Sequence, residues 1–418
     1  MDKNNLISNT MARLFRLGET AGRIGITILK NLQNENQIDI KQITKVVENL
    51  SRLKGAPMKV GQMLSLHEDL LPPEIIEIFK ILQKDSSSMK FPIVKEILQK
   101  ELKSKYNDFA FIEEKPFASA SIGQVHRAKL KNNEEVILKV QYPGIRKSII
   151  TDLKTLQLIL NPLFKALSLP FDTVWEEIQD RLLEETNYRH ELENLKLFHN
   201  TFKIENLILP KFYEEYTTEE ILVLSYEESM PIDKTFSLKN LHENWLLLLL
   251  KLIIFGFYKY KILHVDPNIA NFGFRKDGTV VLYDFGCIKK IPESISTAYK
   301  NTSIAILNNE WDKAGLYLKE AGIQTKMGEP LKKEFLQPHL EIIQEIFPDK
   351  ETFFGEDAQL YKKLLDIARN NWTYARELDF PKDILFIHRN LIGHFGNLRK
   401  FRVKKNWKKV FLELVGQT

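Results

Sequence analysis

Three short strings in a fixed order constrain the fold of this 418-residue chain most. Val136-Ile137-Leu138-Lys139 reads as a strand that carries a lysine among apolar residues. Leu263-His264-Val265-Asp266-Pro267-Asn268-Ile269-Ala270-Asn271 has the spacing His-x-Asp-x-x-x-x-Asn, which puts a carboxylate and an amide on one loop. Asp284-Phe285-Gly286 follows the apolar run Val280-Val281-Leu282-Tyr283 and supplies a second carboxylate 18 residues after Asp266. Phosphoryl transfer needs positioned phosphates, metal ions and a group that orients the acceptor, with little covalent help from protein. The three strings hold these parts in the order such a site uses them.

Each residue then has a chemical role. Asp284 is the first metal-ligand candidate, and Asn271 offers a neutral oxygen for a second Mg²⁺, a cation that prefers hard oxygen donors. Asp266 accepts a hydroxyl proton or orients a nucleophile, and His264 braces the loop. Lys139 is costly to bury unless it meets a carboxylate or a phosphate. The carboxylate would come from a helix carrying Glu184, Glu185, Glu191 and Glu193, and the pattern alone leaves the choice open. A Gly-x-Gly-x-x-Gly phosphate loop is missing. In its place stands Ala118-Ser119-Ala120-Ser121-Ile122-Gly123-Gln124-Val125-His126. Alanine disfavours the positive φ that glycine permits, so this loop should be stiff, with the Ser119 and Ser121 hydroxyls as donors to the nucleotide.

Around these strings the chain alternates between two habits. Strands are expected at Ala110–Glu113, Ile122–Leu130 and Glu135–Gln141, the last two joined as a hairpin through Lys131-Asn132-Asn133, and again at Ile221–Tyr226. Helices are expected over residues 10–33, over 41–83 with breaks near Pro57 and Pro72-Pro73, over 91–106, over most of 148–203, and from about 238 onward apart from short strands around the metal loop. Strand-rich followed by helix-rich is an α+β pattern, here a protein-kinase-like fold of two lobes. The domain reading is 1–40 for a basic amphipathic helix and linker, 41–106 for a helical extension, 107–228 for the N-lobe, and 229–418 for the helical C-lobe.

Composition excludes several alternatives. Apolar residues make up 44% of the chain, ample for a core. The net charge of +5 is mild, and no zinc spacing, RNA-binding aromatic motif or dense basic stripe accompanies it, so no nucleic-acid partner is expected. Cys287 is the sole cysteine, which rules out an internal disulfide and fits a reducing compartment. The polar start Met1-Asp2-Lys3-Asn4-Asn5 is not a secretory signal. The longest apolar stretch, Trp245–Tyr258, is interrupted by Lys251 and reads as a buried helix too short to cross a bilayer. A cytoplasmic protein is expected. Residues 10–33, with Arg13, Arg16, Arg23 and Lys30 beside an apolar side, either pack on their own protein or lie on a membrane surface.

Three further stretches resemble the UbiB/AarF-type atypical kinases, the group that includes the coenzyme Q biosynthesis kinases. Pro116–Ala128 is similar to that family's alanine-rich loop. Lys54-Gly55-Ala56-Pro57-Met58-Lys59-Val60-Gly61-Gln62 is similar to its Lys-x-Gly-Gln signature, at Lys59, Gly61 and Gln62. Lys139-Val140-Gln141-Tyr142-Pro143-Gly144 matches its strand lysine and the residues that trail it.

The resemblance implies a kinase-like fold whose N-terminal helical extension packs over the active site, with ATP and Mg²⁺ as cofactors. It implies ATPase or small-molecule activity rather than phosphorylation of proteins in trans. It also implies a link to isoprenoid quinone biosynthesis, a lipid or quinone-precursor ligand, protein partners in that pathway and a peripheral membrane association. Residue by residue, Lys59 and Gln62 would face the nucleotide, Tyr226 would contact it from the strand into the hinge, and Glu191 becomes the glutamate that pairs with Lys139. Two positions depart from the family. Asn187 stands where the second acid of a Glu-x-Asp pair is usual, and Ser225 stands where the hinge strand usually carries an acidic residue. A small-molecule kinase with another hydroxyl acceptor is the second enzyme reading, and Lys59-Val60-Gly61-Gln62 argues against it. A nucleotide-sensing scaffold is the non-enzymatic one, and the joint presence of Lys139, Asp266, Asn271 and Asp284 argues against that.

Overall fold

The computed structural model describes residues 89–120, 122–166, 171–355, 363, 378–379, 381 and 383–418. The helices expected over 10–33 and 41–83, and with them Lys59, Gln62 and Ser121, lie outside the described residues. Contacts group the chain into two units. One holds the chain up to His190 together with Tyr213–Val223, and the other holds Glu191–Phe212 and Leu224–Thr418.

The first unit is a helix on a sheet. Helix α1, Phe91–Leu102, begins with Pro92 in its first turn, where a missing N–H costs no helical bond. Its Val94, Ile97, Leu98 and Leu102 recur at helical spacing and are buried. They pack on Ala128, Leu130, Val136, Leu138, Val140, Ile221 and Val223. Those residues come from strands β3, Gly123–Leu130, β4, Glu135–Gln141, and β6, Ile221–Ser225. The sheet order is β1-β3-β4-β6, with β1 at Phe109–Ile112 and the short β2, Ala118–Ala120, on the flank of β3. The expected hairpin is present, antiparallel from Gly123↔Gln141 to Lys129↔Glu135. Its turn places Asn133 at φ 73°, a conformation asparagine tolerates better than most residues. Helices α2, Ile145–Ala166, and α3, Phe171–Glu185, follow the sheet.

The alanine-rich segment differs from the loop expected of it. Ala118, Ser119 and Ala120 form β2 and pair with Val125, Gln124 and Gly123 of β3. None of the three has positive φ, so glycine's freedom is not needed. The main chain is spent on pairing, since Phe117 N–H also donates to Val125 O at 2.7 Å. The glycine that matters is Gly123. A Cβ there would lie 2.2 Å from the Val140 carbonyl oxygen, so β3 and β4 meet at this point only because the side chain is missing. Gly123→Ala should therefore destabilise the chain by about 1–3 kcal/mol through overpacking, read from the midpoint of chemical denaturation. An unchanged midpoint would mean that β3 lifts off β4 at no cost.

The second unit is mainly helical. Helix α4, Tyr188–Thr201, runs into it, and the small sheet β5-β9-β8 joins Leu207–Ile208, Val280–Leu282 and Phe272–Phe274. Strand β7, Ile262–His264, pairs with β10, Ile288–Lys290. The apolar stretch is longer than the sequence suggests. Helix α5, His242–Ile254, continues through a π-helical turn, Phe255–Tyr260. With the turn before it, the span Lys239–Tyr260 is 22 residues, long and apolar enough to cross a membrane by length and composition alone. Two thirds of its most apolar window is buried within the protein, including Trp245, Leu246, Leu250 and Ile254. Helices α6, Glu293–Leu307, α7, Trp311–Glu320, and α8, Lys333–Ile346, follow. Helices α9, Asp383–Leu398, and α10, Trp407–Val415, close the chain. Two short ribbons were not expected in this half. They pair β11, Gln324–Thr325, with β13, Leu378–Asp379, and β12, Glu351–Phe353, with β14, Lys404–Asn406. Strands of two or three residues carry too little alternation to stand out in a helical context.

Candidate active site

Two backbone ladders bring the acidic loops of the second unit together. Strand β8 starts right after Asn271 and β9 ends just before Tyr283, and the two pair with Phe272 opposite Leu282. The Tyr283 N–H donates to Asn271 O at 2.9 Å. In the other ladder His264 pairs with Ile288, and Val265 N–H donates to Cys287 O at 3.1 Å. His264 then ties the loops directly. Its Nε2 lies 2.9 Å from the Asp284 carbonyl oxygen. A carbonyl only accepts, so Nε2 carries the proton and the buried Nδ1 is left without a hydrogen-bond partner among the described residues. The bracing role expected of His264 is the one found.

Within these loops the side chains grip their own backbone. Asp266 Oδ1 accepts the Asn268 N–H at 3.0 Å, and Asn268 Oδ1 accepts the Ala270 N–H at 3.1 Å. These two Asx turns stiffen the stretch between Asp266 and Asn271. Asp284 Oδ1 accepts the Gly286 N–H at 2.9 Å in the same manner.

Helix α4 holds the next residue. Phe285 is fully buried, and its ring meets Phe198 edge-on at 5.3 Å between centroids. Its N–H donates to Glu191 Oε1 at 3.3 Å, and its carbonyl accepts from Asn194 Nδ2 at 2.8 Å. Glu191, Asn194 and Phe198 follow one another at spacings of three and four, one face of a helix. Burial separates the acids that the sequence could not. Glu191 is 5% exposed, whereas the Glu193 side chain is 65% exposed and pairs with Lys196.

A metal can be tested against this donor set. The Nδ2 of Asn271 is buried and has no hydrogen-bond partner among the described residues. That N–H can only donate, so its unspent capacity fits an acceptor such as a phosphate oxygen, while the amide oxygen stays available to a cation. The Asp284 carboxylate and the Asn271 amide oxygen are hard donors of the kind Mg²⁺ takes, and two protein oxygens leave room for phosphate oxygens and water.

In the first unit, Lys139 stands mid-strand in β4, 8% exposed and opposite Val125. Its Nζ is 5.9 Å from the centre of the Tyr188 ring. Beside it runs a buried polar chain. Gln124 accepts from Met89 N–H at 2.8 Å and lies 2.8 Å from His126 Nε2, while His126 Nδ1 lies 2.8 Å from the Glu113 carbonyl. Burial holds His126 below the usual histidine range, and a neutral ring with its proton on Nδ1 satisfies every partner in that chain. Ser119 is exposed on β2, and Tyr226 is half-buried just past β6.

Both departures from the family pattern have structural accounts. Asn187 caps α4, its side-chain oxygen accepting the Arg189 N–H at 3.0 Å, a task Asn and Asp perform equally. The Ser225 hydroxyl accepts the Lys211 N–H at 2.9 Å and donates to Glu227 Oε1 at 2.7 Å. Glu227 in turn pairs with Arg275 at 2.7 Å.

Several residues here were not foreseen. Asn194, Glu227 and Arg275 are three. The others come from α9. His394 and Asn397 are buried and bond to the carbonyls of His264 and Pro267, and Gly393 lies against Pro267. Burial, with His264 as the second cause, pushes His394 down to about 4.

Comparison with known proteins gives the family and the fold. The family described as ABC1 atypical kinase-like domain matches residues 81–317. The chain is 27% identical over 385 residues to "Atypical kinase COQ8B, mitochondrial" of Danio rerio, covering 88% of this chain and 60% of the relative. It is 27% identical over 322 residues to "Atypical kinase COQ8, mitochondrial" of Saccharomyces cerevisiae, covering 72% of this chain and 63% of that protein. The chain therefore spans about three fifths of the length of these relatives. A Mycobacterium tuberculosis protein whose structure was solved with erythromycin shares the fold, with a TM-score of 0.62 and 23% identity over 90% of this chain and 95% of that one. The α+β, kinase-like fold expected from the three strings is the fold found, and the chain belongs to the ABC1 atypical kinase-like family.

Proposed function

We propose that this protein binds ATP with Mg²⁺ and acts as an atypical phosphotransferase or ATPase serving isoprenoid quinone or related lipid metabolism. The observation that carries the reading is the hydrogen-bonded pair of loops that presents Asp266, Asn271 and Asp284 together. Asp284 and Asn271 hold the metal. A Mg²⁺ held there would supply charge neutralisation at the nucleotide phosphates. Lys139 does the same from its strand. Asp266 would accept the proton of an acceptor hydroxyl, or orient a water, whose oxygen bonds the γ-phosphorus as that atom's bond to the ADP oxygen breaks. Glu191 keeps the Asp284 loop in place through the Phe285 N–H. Ala118 and Ala120, the Ser119 and Ser121 hydroxyls, and Tyr226 line the nucleotide. Lys59 and Gln62 act on the same nucleotide from the extension, which also keeps protein substrates out. Quinone-pathway proteins and a membrane surface are the partners this reading names.

The test is ATP turnover by the full chain with and without Mg²⁺, and with and without vesicles carrying a soluble quinone-precursor mimic. Mg²⁺-dependent hydrolysis that rises several-fold with vesicles and mimic together is the expected result. Nucleotide binding without turnover under every condition would favour a sensing scaffold and overturn the enzymatic reading.

A further inference from the structure

The catalytic loop is held from behind by a helix that lies outside the matched domain. Helix α9 turns Gly393, His394 and Asn397 toward residues 264–267. His394 Nε2 lies 2.9 Å from the His264 carbonyl, so this nitrogen carries the proton and donates. Asn397 Nδ2 donates to the Pro267 carbonyl at 2.5 Å. A Cβ on Gly393 would fall 2.6 Å from Cγ and 2.7 Å from Cβ of Pro267, so only glycine lets the helix seat on the proline ring. These contacts bracket Asp266, two residues before it and one after.

Nothing within the loop does the same work. Its own Asx turns employ N–H groups, those of Asn268 and Ala270. The two carbonyls that flank Asp266 are satisfied from α9. Both donors are buried beside Leu249, Leu252 and Phe272. Polar side chains in such surroundings are tolerated when they bond, and a buried carbonyl stripped of its donor is left with an unsatisfied acceptor. Aliphatic side chains would fill the same space more simply.

We propose that α9 is a positioning element for Asp266. His394 and Asn397 set the path of the catalytic loop and so the place of the carboxylate, and the working catalytic unit of this chain extends to residue 398, beyond the family domain that ends at 317. The proposal rests on the phosphotransfer reading for the role of Asp266, and makes α9 as necessary to it as the loop itself.

The experiment uses the full chain with MgATP as the probe and two readouts. One is kcat and KM for hydrolysis. The other is amide exchange at Asn268, whose N–H is held by Asp266 Oδ1. His394→Leu and Asn397→Leu should each lower kcat ~10- to 100-fold with KM for ATP within about twofold, and speed Asn268 exchange about tenfold or more. His394→Gln keeps a donor and should restore both readouts to within about threefold. The proposal is overturned if kcat and exchange are unchanged in the leucine variants. It is equally overturned if Gln is as damaging as Leu, which would mean packing alone, or if the loss falls on KM. Should a leucine variant not fold, Asn397→Ser carries the same two readouts. If the parent protein hydrolyses no ATP, the phosphotransfer reading fails, and Asn268 exchange still decides whether α9 positions the loop.

Discussion

Asp284→Asn should lower MgATP turnover by about 10²- to 10³-fold or more and leave the melting temperature nearly unchanged. The two side chains have the same shape. Asparagine still offers an Oδ1 to the Gly286 N–H, and the backbone carbonyl that receives His264 is untouched. What disappears is the negative charge. A hard divalent cation held by Asp284 and Asn271, as proposed, would lose the anionic ligand of that pair. Titration with Mg²⁺ separates the causes. A higher Mg²⁺ requirement with partly recovered turnover means weakened metal binding, whereas a flat loss means the metal is bound but misplaced. Turnover within about threefold of the parent at ordinary Mg²⁺ would remove Asp284 from the mechanism.

Acid should destabilise the protein through His394 by up to roughly 3 kcal/mol, since each tenfold change in proton affinity between the folded and unfolded chain is worth about 1.36 kcal/mol. His394 is pushed from 6.5 down to about 4, chiefly by burial and then by His264. The native state therefore holds it neutral, while the unfolded chain takes up a proton below about pH 6.5. The full contribution is present above that pH and is lost progressively as pH falls toward about 4. Other groups also take up protons on acidification, so the informative quantity is a difference. His394→Gln keeps a donor for the His264 carbonyl but cannot bind a proton there. Denaturation midpoints compared at pH 7, 6, 5 and 4 should therefore converge or cross, with the variant losing less stability on acidification. Parallel curves would mean that His394 is not held neutral by its surroundings.

Much of this protein was legible in one dimension, for local reasons. The hairpin from Gly123 to Gln141 shows itself by alternation and by two asparagines at its turn, because strand pairing with a short connection is decided by neighbours. Helix α1 shows itself by four apolar residues at helical spacing. The order of Lys139, His264, Asp266, Asn271 and Asp284 points to phosphoryl transfer because that chemistry admits few residue types and needs them on strands and loops of fixed length. The sequence also told correctly that Lys139 would be buried, since it is embedded in Val136-Ile137-Leu138 and Val140.

Other features were settled only when the chain folded. Whether Ala118–Ala120 was a loop or a strand depended on whether β3 had a free edge to pair with it. The length of the buried apolar helix depended on what covered Lys251 and Lys259, whose ammonium groups lie over the Phe255 ring. The residue pattern alone left four glutamates open and only the family resemblance singled out Glu191, whereas in the fold the Phe285 N–H takes Glu191 as its acceptor. The clamp on the catalytic loop was the least visible of all. His394 and Asn397 act on the carbonyls of His264 and Pro267, 130 positions away for each of the two hydrogen bonds. A backbone carbonyl is present at every residue and leaves no mark in a sequence. A side chain that recognises one can therefore be found only where tertiary packing has placed it.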